Sequence, residues 1–344
     1  MDLSLSEDQL TLRAAFAEFF DKESTLERVR AAEPLGFDQD LWTKLAGTGA
    51  VAMGLPEDAG GGGASALDLV LVAEQYGRRI APVPFPEAAA AGHVLAQASA
   101  AELVGGVADG STLATIALSP AHDGRLRLVP AGAVAEVVVA LDGDRLIALR
   151  RPPGARPHVA PSPNFGSSPL ADWPLDEGEQ TVLATGPYAR QLHQDGVSMW
   201  QLLTAAALGG LRASALELGV AYVKARKAFG VIIGSFQAIQ HRLADVVVAG
   251  DGAQLLAFEA AWARDAGQPD AAALASMAFL FNADCAFRTA RECLQFHGGY
   301  GFTLEYDIQL YFRRAKAWPL ALGDSRREYE RLADLVYAEH EGEE

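Results

Sequence analysis

The chain has 344 residues, 50% hydrophobic, 8% aromatic and 21% charged, a globular composition with material for more than one core and, by length, two or three subdomains. Its net charge of −16, from 44 acidic against 28 basic residues, argues against nucleic acid or an anionic membrane surface as partner, because both require basic patches. An anionic small molecule stays open, since it needs local Arg, Lys and backbone N–H groups and no overall positive charge.

Residues 3–103 read as helical. Ser4 or Ser6 can cap a first helix with Leu10, Phe16 and Phe19/Phe20 along one side. "FDQDLWTKLAGTGA" repeats the pattern and stops at glycine, and "GLPEDAGGGGASALDLVLVAEQYGRRI" is a glycine-rich loop entering another helix. Near residue 110 the texture changes. "STLATIALS", "GRLRLVPA", "AEVVVALDG" and "DRLIALRR" are short β-type runs separated by turn residues, "RPPGARPHVAPSPNFGSSP" is a proline-rich loop, and "EQTVLAT" is one more strand. Beyond Tyr188 three long apolar helices and a fourth ending in "YERLADLVYAEH" predict a four-helix bundle, with "EGEE" as a frayed tail. The predicted organisation is an N-terminal α-helical domain (1–105), a small middle β domain with the proline-rich loop (106–185) and a C-terminal four-helix bundle (186–344).

Cys285 and Cys293 fall on one predicted helix, too far apart along it for a disulfide, and free thiols fit a reducing compartment. The acidic, amphipathic "MDLSLSEDQL" is unlike a signal peptide, and no transmembrane span is predicted. The expectation is a cytoplasmic protein without a metal site.

Two stretches carry candidate chemistry. In "ARKAFGVIIGSFQAIQHRLAD" (225–245) a basic pair ends a helix, Phe-Gly turns the chain, and Ser-Phe-Gln opens the next helix. Arg226 can fork onto a phosphate, and Phe229 and Gln237 can offer a flat face and an amide to a heterocycle. The competing structural reading is that Arg226 and Lys227 complement a helix C-terminus and Phe229 caps the bundle core. In "LQFHGGYGFTLEYDIQLYFRRAKAW" (294–318), Gly298, Gly299 and Gly301 let backbone approach a ligand closely, with Gln295 just before them. The competing structural reading is a glycine-rich helix–helix connection, against which Gly-Gly-x-Gly alone is weak evidence of phosphate contact.

In this order and setting, the two stretches resemble the C-terminal domain of the acyl-CoA dehydrogenases. The match is "R-K-x-F-G … F-Q-A-I-Q-x-x-L-A-D" followed by "Q-x-x-G-G-x-G-F-x-x-E-Y-x-x-x-x-x-x-R". The resemblance implies the family's mainly α fold, with a helical domain, a small β domain and a four-helix bundle. It also implies FAD in a cleft between subunits, a glutamate that removes the proton α to the thioester, and an electron-transfer flavoprotein as acceptor. Carried over by motif, Arg226, Phe229, Gln237, Gln295, Gly298 and Gly299 resemble FAD contacts that grip the adenine, ribose and pyrophosphate. Glu305 and Arg313 match positions expected to be structural.

Three departures redirect the reading. Leu322, in "ALGDS", stands where the family's common base is, and Asp324 where a flavin-contacting threonine is. The alternative base position falls at or beside Trp200, with Asp195 the nearest carboxylate upstream. The β domain is short, and "TIALSPAHDG" keeps little of the flavin-cradling stretch. A base must come within about 2.6–3.2 Å of its proton, and leucine cannot act as one. The pattern resembles the smaller subunits of heteromeric α2β2 acyl-CoA dehydrogenases of bacterial steroid side-chain degradation. It implies a longer catalytic partner that holds most of the acyl-CoA. Two alternatives stand beside it: a homomeric flavoenzyme using Asp324 or Asp195, and a flavin-free structural relative.

Overall fold

The computed structural model describes residues 3–151, 154 and 159–338. Six helices come first: α1 (Glu7–Glu23), α2 (Leu26–Ala32), α3 (Gln39–Gly47), α4 (Ala66–Arg78), α5 (Phe85–Gln97) and α6 (Ala101–Ala108). Ser6 is the cap of α1. Its hydroxyl accepts from the Gln9 N–H, and the Gln9 side chain accepts from the Ser6 N–H, a closed capping box. Phe16 and Phe20 go inside, but Leu10 is 52% exposed. Six residues separate Leu10 from Phe16, which turns it about 240° round a helix of 3.6 residues per turn.

The middle section holds β1 (Ala114–Ile116), β2 (Arg125–Val129), β3 (Val137–Asp142), β4 (Arg145–Arg150), β5 (Ala171–Pro174) and β6 (Glu179–Thr185). A four-stranded sheet runs β1-β3-β4-β6, and β2 pairs with β5 alone. Strand β5, "ADWP", is only four residues long, too short for its alternation of buried Ala171 and Trp173 with half-buried Asp172 and Pro174 to stand out in the sequence. It is anchored by Trp173, which is wholly buried and donates its indole N–H to the Gly132 carbonyl at 2.8 Å. Part of the proline-rich stretch and the "EGEE" tail lie outside the described residues.

The C-terminal section is α7 (Gly186–Ala225), a hairpin of β7 (Lys227–Ala228) and β8 (Val231–Ile232), then α8 (Gln237–Asp265), α9 (Ala271–His297), α10 (Ile308–Ala317) and α11 (Ser325–Ala338). Helices α7, α8 and α9 pack on one another, and α10 and α11 both lean on α9. The bundle therefore has a short extra helix between its third and fourth long members. Helix α4 lies directly on α7, because a side chain at Gly77 would strike the Ala207 carbonyl and one at Gly210 the Glu74 carbonyl. One core joins the N-terminal helices, the sheet and the start of α7. A second cluster, with Leu211, Ala290, Cys293 and Tyr311, holds the far end of the bundle together. The overall arrangement is mainly helical with a small β region, as the resemblance implies.

Candidate functional site

Because α7, α8 and α9 alternate in direction, the C-terminus of α7, the N-terminus of α8 and the C-terminus of α9 meet at one end of the bundle. This brings Arg226, Phe229, Gln237, Gln295, Gly298 and Gly299 to one end of the molecule. An aromatic cluster fixes the joint. Tyr222 of α7 stacks on His297 of α9 at 4.0 Å between ring centres, and Tyr306 meets both edge-on at 5.9 and 5.5 Å.

Arg226 is the C-cap of α7. Its N–H donates to the Tyr222 carbonyl at 2.9 Å, and its own carbonyl accepts from the Ile233 N–H at 2.9 Å. The side chain is exposed, and its guanidinium carbon sits 5.7 Å from the Tyr300 ring centre, a cation–π distance. Capping is thus done by the Arg226 backbone, which leaves the guanidinium free to meet a ligand anion.

Phe229 sits at the tip of the β7–β8 hairpin, 97% exposed. Phe229 and Gly230 have φ of +54° and +82°, the geometry of a two-residue hairpin with positive φ at both central positions. A bulky side chain there costs roughly 1–2 kcal/mol. The reading that Phe229 caps the bundle core is overturned: strain is accepted and the ring points into solvent. Gln237 and Gln295 are likewise exposed.

The three glycines divide their roles. Gly298 has φ +60° and ψ −139°, a region that a residue with a Cβ rarely adopts. A Cβ on Gly299 would meet open space, so that backbone is approachable from outside. Gly301 is buried, and a Cβ there would press on the Leu294 carbonyl; its smallness serves packing and not ligand approach. Glu305 is exposed, while Arg313 is half-buried in an ion pair. Thr303 hydrogen-bonds to Glu305 and holds its carboxyl below the ordinary range, and Arg313 pairs with Glu33 at 2.6 Å.

The positions examined for a base are elsewhere. Leu322 ends a 3-10 turn and packs partly against the core beside a cleft of about 190 Å³. Asp324 is exposed and gripped by Arg326, at 2.8 Å from the guanidinium and 3.0 Å from the backbone N–H. That contact holds its carboxyl below the usual range and makes it a weaker base than an ordinary aspartate. Asp195 is fixed by Arg264 and His93, both at 2.7 Å, and by Gln97 at 2.9 Å. Burial acts to raise its pKa, but the His93 hydrogen bond and the Arg264 charge win and hold the carboxyl far below its ordinary value. On α7 it lies 31 residues before Arg226, about 45 Å along the helix axis.

Trp200 is buried and donates its indole N–H to Glu87 of α5 at 3.2 Å. Glu87 faces a cavity of about 60 Å³ whose walls include Tyr76, Ile80, Thr204 and Trp318. Trp318 stacks on Tyr76 at 5.6 Å. Burial pushes the Glu87 carboxyl upward, against the opposing pull of its hydrogen bonds. By sequence alone Glu87, a single glutamate on an alanine-rich helix, looks like a solvated residue. The proline pair around Phe85, which pins the start of α5 in the core, is the signal that could have marked it. The cavity has room for a few waters at about 15 Å³ each and is smaller than the roughly 150 Å³ that accommodates benzene.

Comparison with known proteins places this geometry. Residues 6–103 match the acyl-CoA dehydrogenase N-terminal domain and residues 194–336 the acyl-CoA dehydrogenase C-terminal domain. The acyl-CoA dehydrogenase IpdE2 of Mycolicibacterium smegmatis is 30% identical over 97% of this chain and 100% of its own length.

The chain belongs to the acyl-CoA dehydrogenase family.

Among solved structures, the ChsE4-ChsE5 complex from Mycobacterium tuberculosis contains a chain with a TM-score of 0.85 and 26% identity, covering 98% of this chain and 99% of that one. A variant of the Tcur3481-Tcur3483 steroid ACAD gives 0.84 and 26%, with the same coverage. Within an acyl-CoA dehydrogenase fold, this chain therefore has an exposed bundle end and a small cavity whose walls include Trp200, Trp318 and Tyr76.

Proposed function

We propose that this chain is the smaller, FAD-site-completing subunit of a heteromeric acyl-CoA dehydrogenase and does not itself supply the catalytic base. The observation that carries the reading is a contrast within one chain. At the bundle end Arg226, Phe229 and the Gly298-Gly299 backbone stand open to a ligand from outside. Inside, the cavity of about 60 Å³ between Trp200 and Trp318 has no room for a thioester or a flavin ring.

The residues fit the adenosine diphosphate half of FAD. Arg226 would pair with a phosphate, Gly298 and Gly299 would present backbone to the pyrophosphate, and Gln237 and Gln295 would offer amides to ribose or adenine. Phe229 would give an apolar face beside them. When bound, FAD supplies the acceptor for the hydride leaving the acyl β-carbon. The α-proton is taken by a longer partner subunit in an α2β2 assembly, and an electron-transfer flavoprotein reoxidises the complex. One structural relative is a steroid acyl-CoA dehydrogenase, which supports a steroid-derived acyl-CoA as substrate.

A partner is also supported by α8. It is long and apolar enough to cross a membrane by composition alone, yet it packs between α7 and α9. Its outer face leaves Val248 73% and Leu255 53% exposed, apolar surface of the kind a second chain covers.

The test is to purify the chain alone and with a full-length paralog as partner, and to record flavin absorbance and turnover. Flavin held in the co-purified complex and absent from the single chain supports the proposal. A colourless complex sinks it and favours a structural relative. Turnover by the chain alone favours the second reading, a homomeric flavoenzyme with a displaced base. Loss of that turnover in Asp324→Asn or Asp195→Asn identifies which carboxylate it uses.

A further inference from the structure

Helices α4, α7 and α8 enclose a separate cavity of about 120 Å³, with Arg13, Glu74, Arg78, Arg212, Gln254 and Asn282 on its walls. Its charges do not balance. Glu74 is taken by Arg13 at 3.0 Å and faces the Gln254 amide at 3.5 Å. Arg78 pairs with Glu217 at 2.7 Å. The Asn282 amide donates to the carbonyls of Ala253 and Ala278 at 2.8 and 2.9 Å. Arg212 of α7 is 7% exposed, and its Nε has no partner. Among the described residues, no carboxylate forms an ion pair with it.

Arg212 is built into this place. Gly250 of α8 lies against its guanidinium, and a Cβ at Gly250 would fall inside that group. The glycine is a slot that lets α8 close over the side chain. A buried cation without a counter-charge is costly, and the same group becomes favourable once a paired anion arrives. Burial disfavours the charged form of Arg212, and Asp251 is the first of the acidic neighbours acting against that. Asp251 itself is exposed and does not line the cavity.

We propose that this cavity is a binding site for a small oxyanion, a carboxylate or phosphate group, held by the planar fork of Arg212, whose charge the Arg13–Glu74 and Arg78–Glu217 pairs leave uncompensated. A guanidinium presents paired N–H donors that match both groups. The volume admits acetate or inorganic phosphate and excludes a nucleotide. The site is independent of the flavin assignment.

The experiment is a titration of the purified protein, as single chain and as complex, with sodium phosphate and with sodium acetate. Sodium chloride at matched ionic strength is the control, and thermal unfolding and calorimetry are the readouts. The expected result is a saturable rise in melting temperature with an oxyanion and none with chloride. Arg212→Met is expected to weaken binding at least tenfold and to melt no lower than the parent protein in chloride, since a hydrophobe of similar length replaces an unpaired buried charge. Gly250→Ala, which displaces the guanidinium, is expected to weaken binding as well. A response in the single chain that vanishes in the complex identifies a partner's carboxylate as the anion, and a response in both identifies a free ion. An equal response to chloride, or an unchanged response in Arg212→Met, overturns the proposal. So does a lower melting temperature for Asp251→Asn in chloride, which would show that Asp251 already neutralises Arg212.

Discussion

Glu87 and Trp200, from helices far apart in sequence, meet through an indole N–H···O contact of 3.2 Å. The carboxyl from α5 thereby lies beneath the α7 position that the family resemblance marks as an alternative site for the base. It faces the small cavity between Trp200 and Trp318, where burial raises its pKa above the ordinary 4.5. The consequence for stability has a definite sign. Below about pH 4.5 the carboxyl is protonated in folded and unfolded chains alike, and its contribution is fully present. As pH rises through the raised folded value, the unfolded chain sheds the proton more readily, and stability falls. Glu87→Gln, which keeps the acceptor for Trp200, is expected to remove this slope and to be the more stable protein at pH 7–8. Denaturant unfolding of both proteins between pH 4 and 8 checks it.

Asp195 carries the opposite sign. Its pairing with His93 and Arg264 depresses its pKa below the ordinary 3.8, so its contribution is present above about pH 3.8 and is lost as pH falls further. Asp195→Asn is expected to cost about 1–2 kcal/mol at neutral pH, the value of charged hydrogen bonds discounted for a partly exposed site. It is expected to leave dehydrogenation by the complex unchanged. A fall in turnover of several orders of magnitude with the fold intact would make Asp195 the base.

Arg226→Ala is expected to weaken FAD retention by one to two factors of ten, because a charge-assisted contact contributes about 1.5–3 kcal/mol. Its effect on the melting temperature of the single chain should be small, since the side chain is exposed over the Tyr300 ring and forms no ion pair among the described residues. Equal dissociation constants for wild type and variant in an FAD titration of apo-complex would remove Arg226 from the site.

Gly298 and Gly299 are expected to separate in their response to alanine. Gly298→Ala should lower the stability of the chain by about 1 kcal/mol or more, because its φ of +60° is unfavourable to a Cβ. Gly299→Ala should leave the fold unchanged, the Cβ meeting open space. Flavin binding should weaken in both. Melting curves with and without FAD distinguish the two effects.

Phe229→Gly tests whether the hairpin tip is kept for a contact. Relief of positive-φ strain should stabilise the single chain by up to about 1 kcal/mol after the entropic cost of glycine. Loss of the 97% exposed ring should weaken assembly or flavin retention. A variant that gains stability and assembles unchanged would show that the ring serves neither.

The sequence by itself determined the mainly helical class, the small sheet and the placement of both motif stretches, because these follow from apolar periodicity and turn residues that act locally. It also determined that Leu322 cannot take a proton, a matter of side-chain chemistry. Tertiary structure decided what lies outside the reach of local pattern. Strand β5 exists because Trp173 finds a buried place and a carbonyl partner. Phe229 points outward, against its hydrophobic character, because the two-residue hairpin leaves it no core to reach. Glu87 and Arg212 are ordinary charged residues in a helical sequence. They become a desolvated acid and an unpaired cation when α4, α5, α7 and α8 close around them, because burial and charge compensation depend on neighbours far away along the chain.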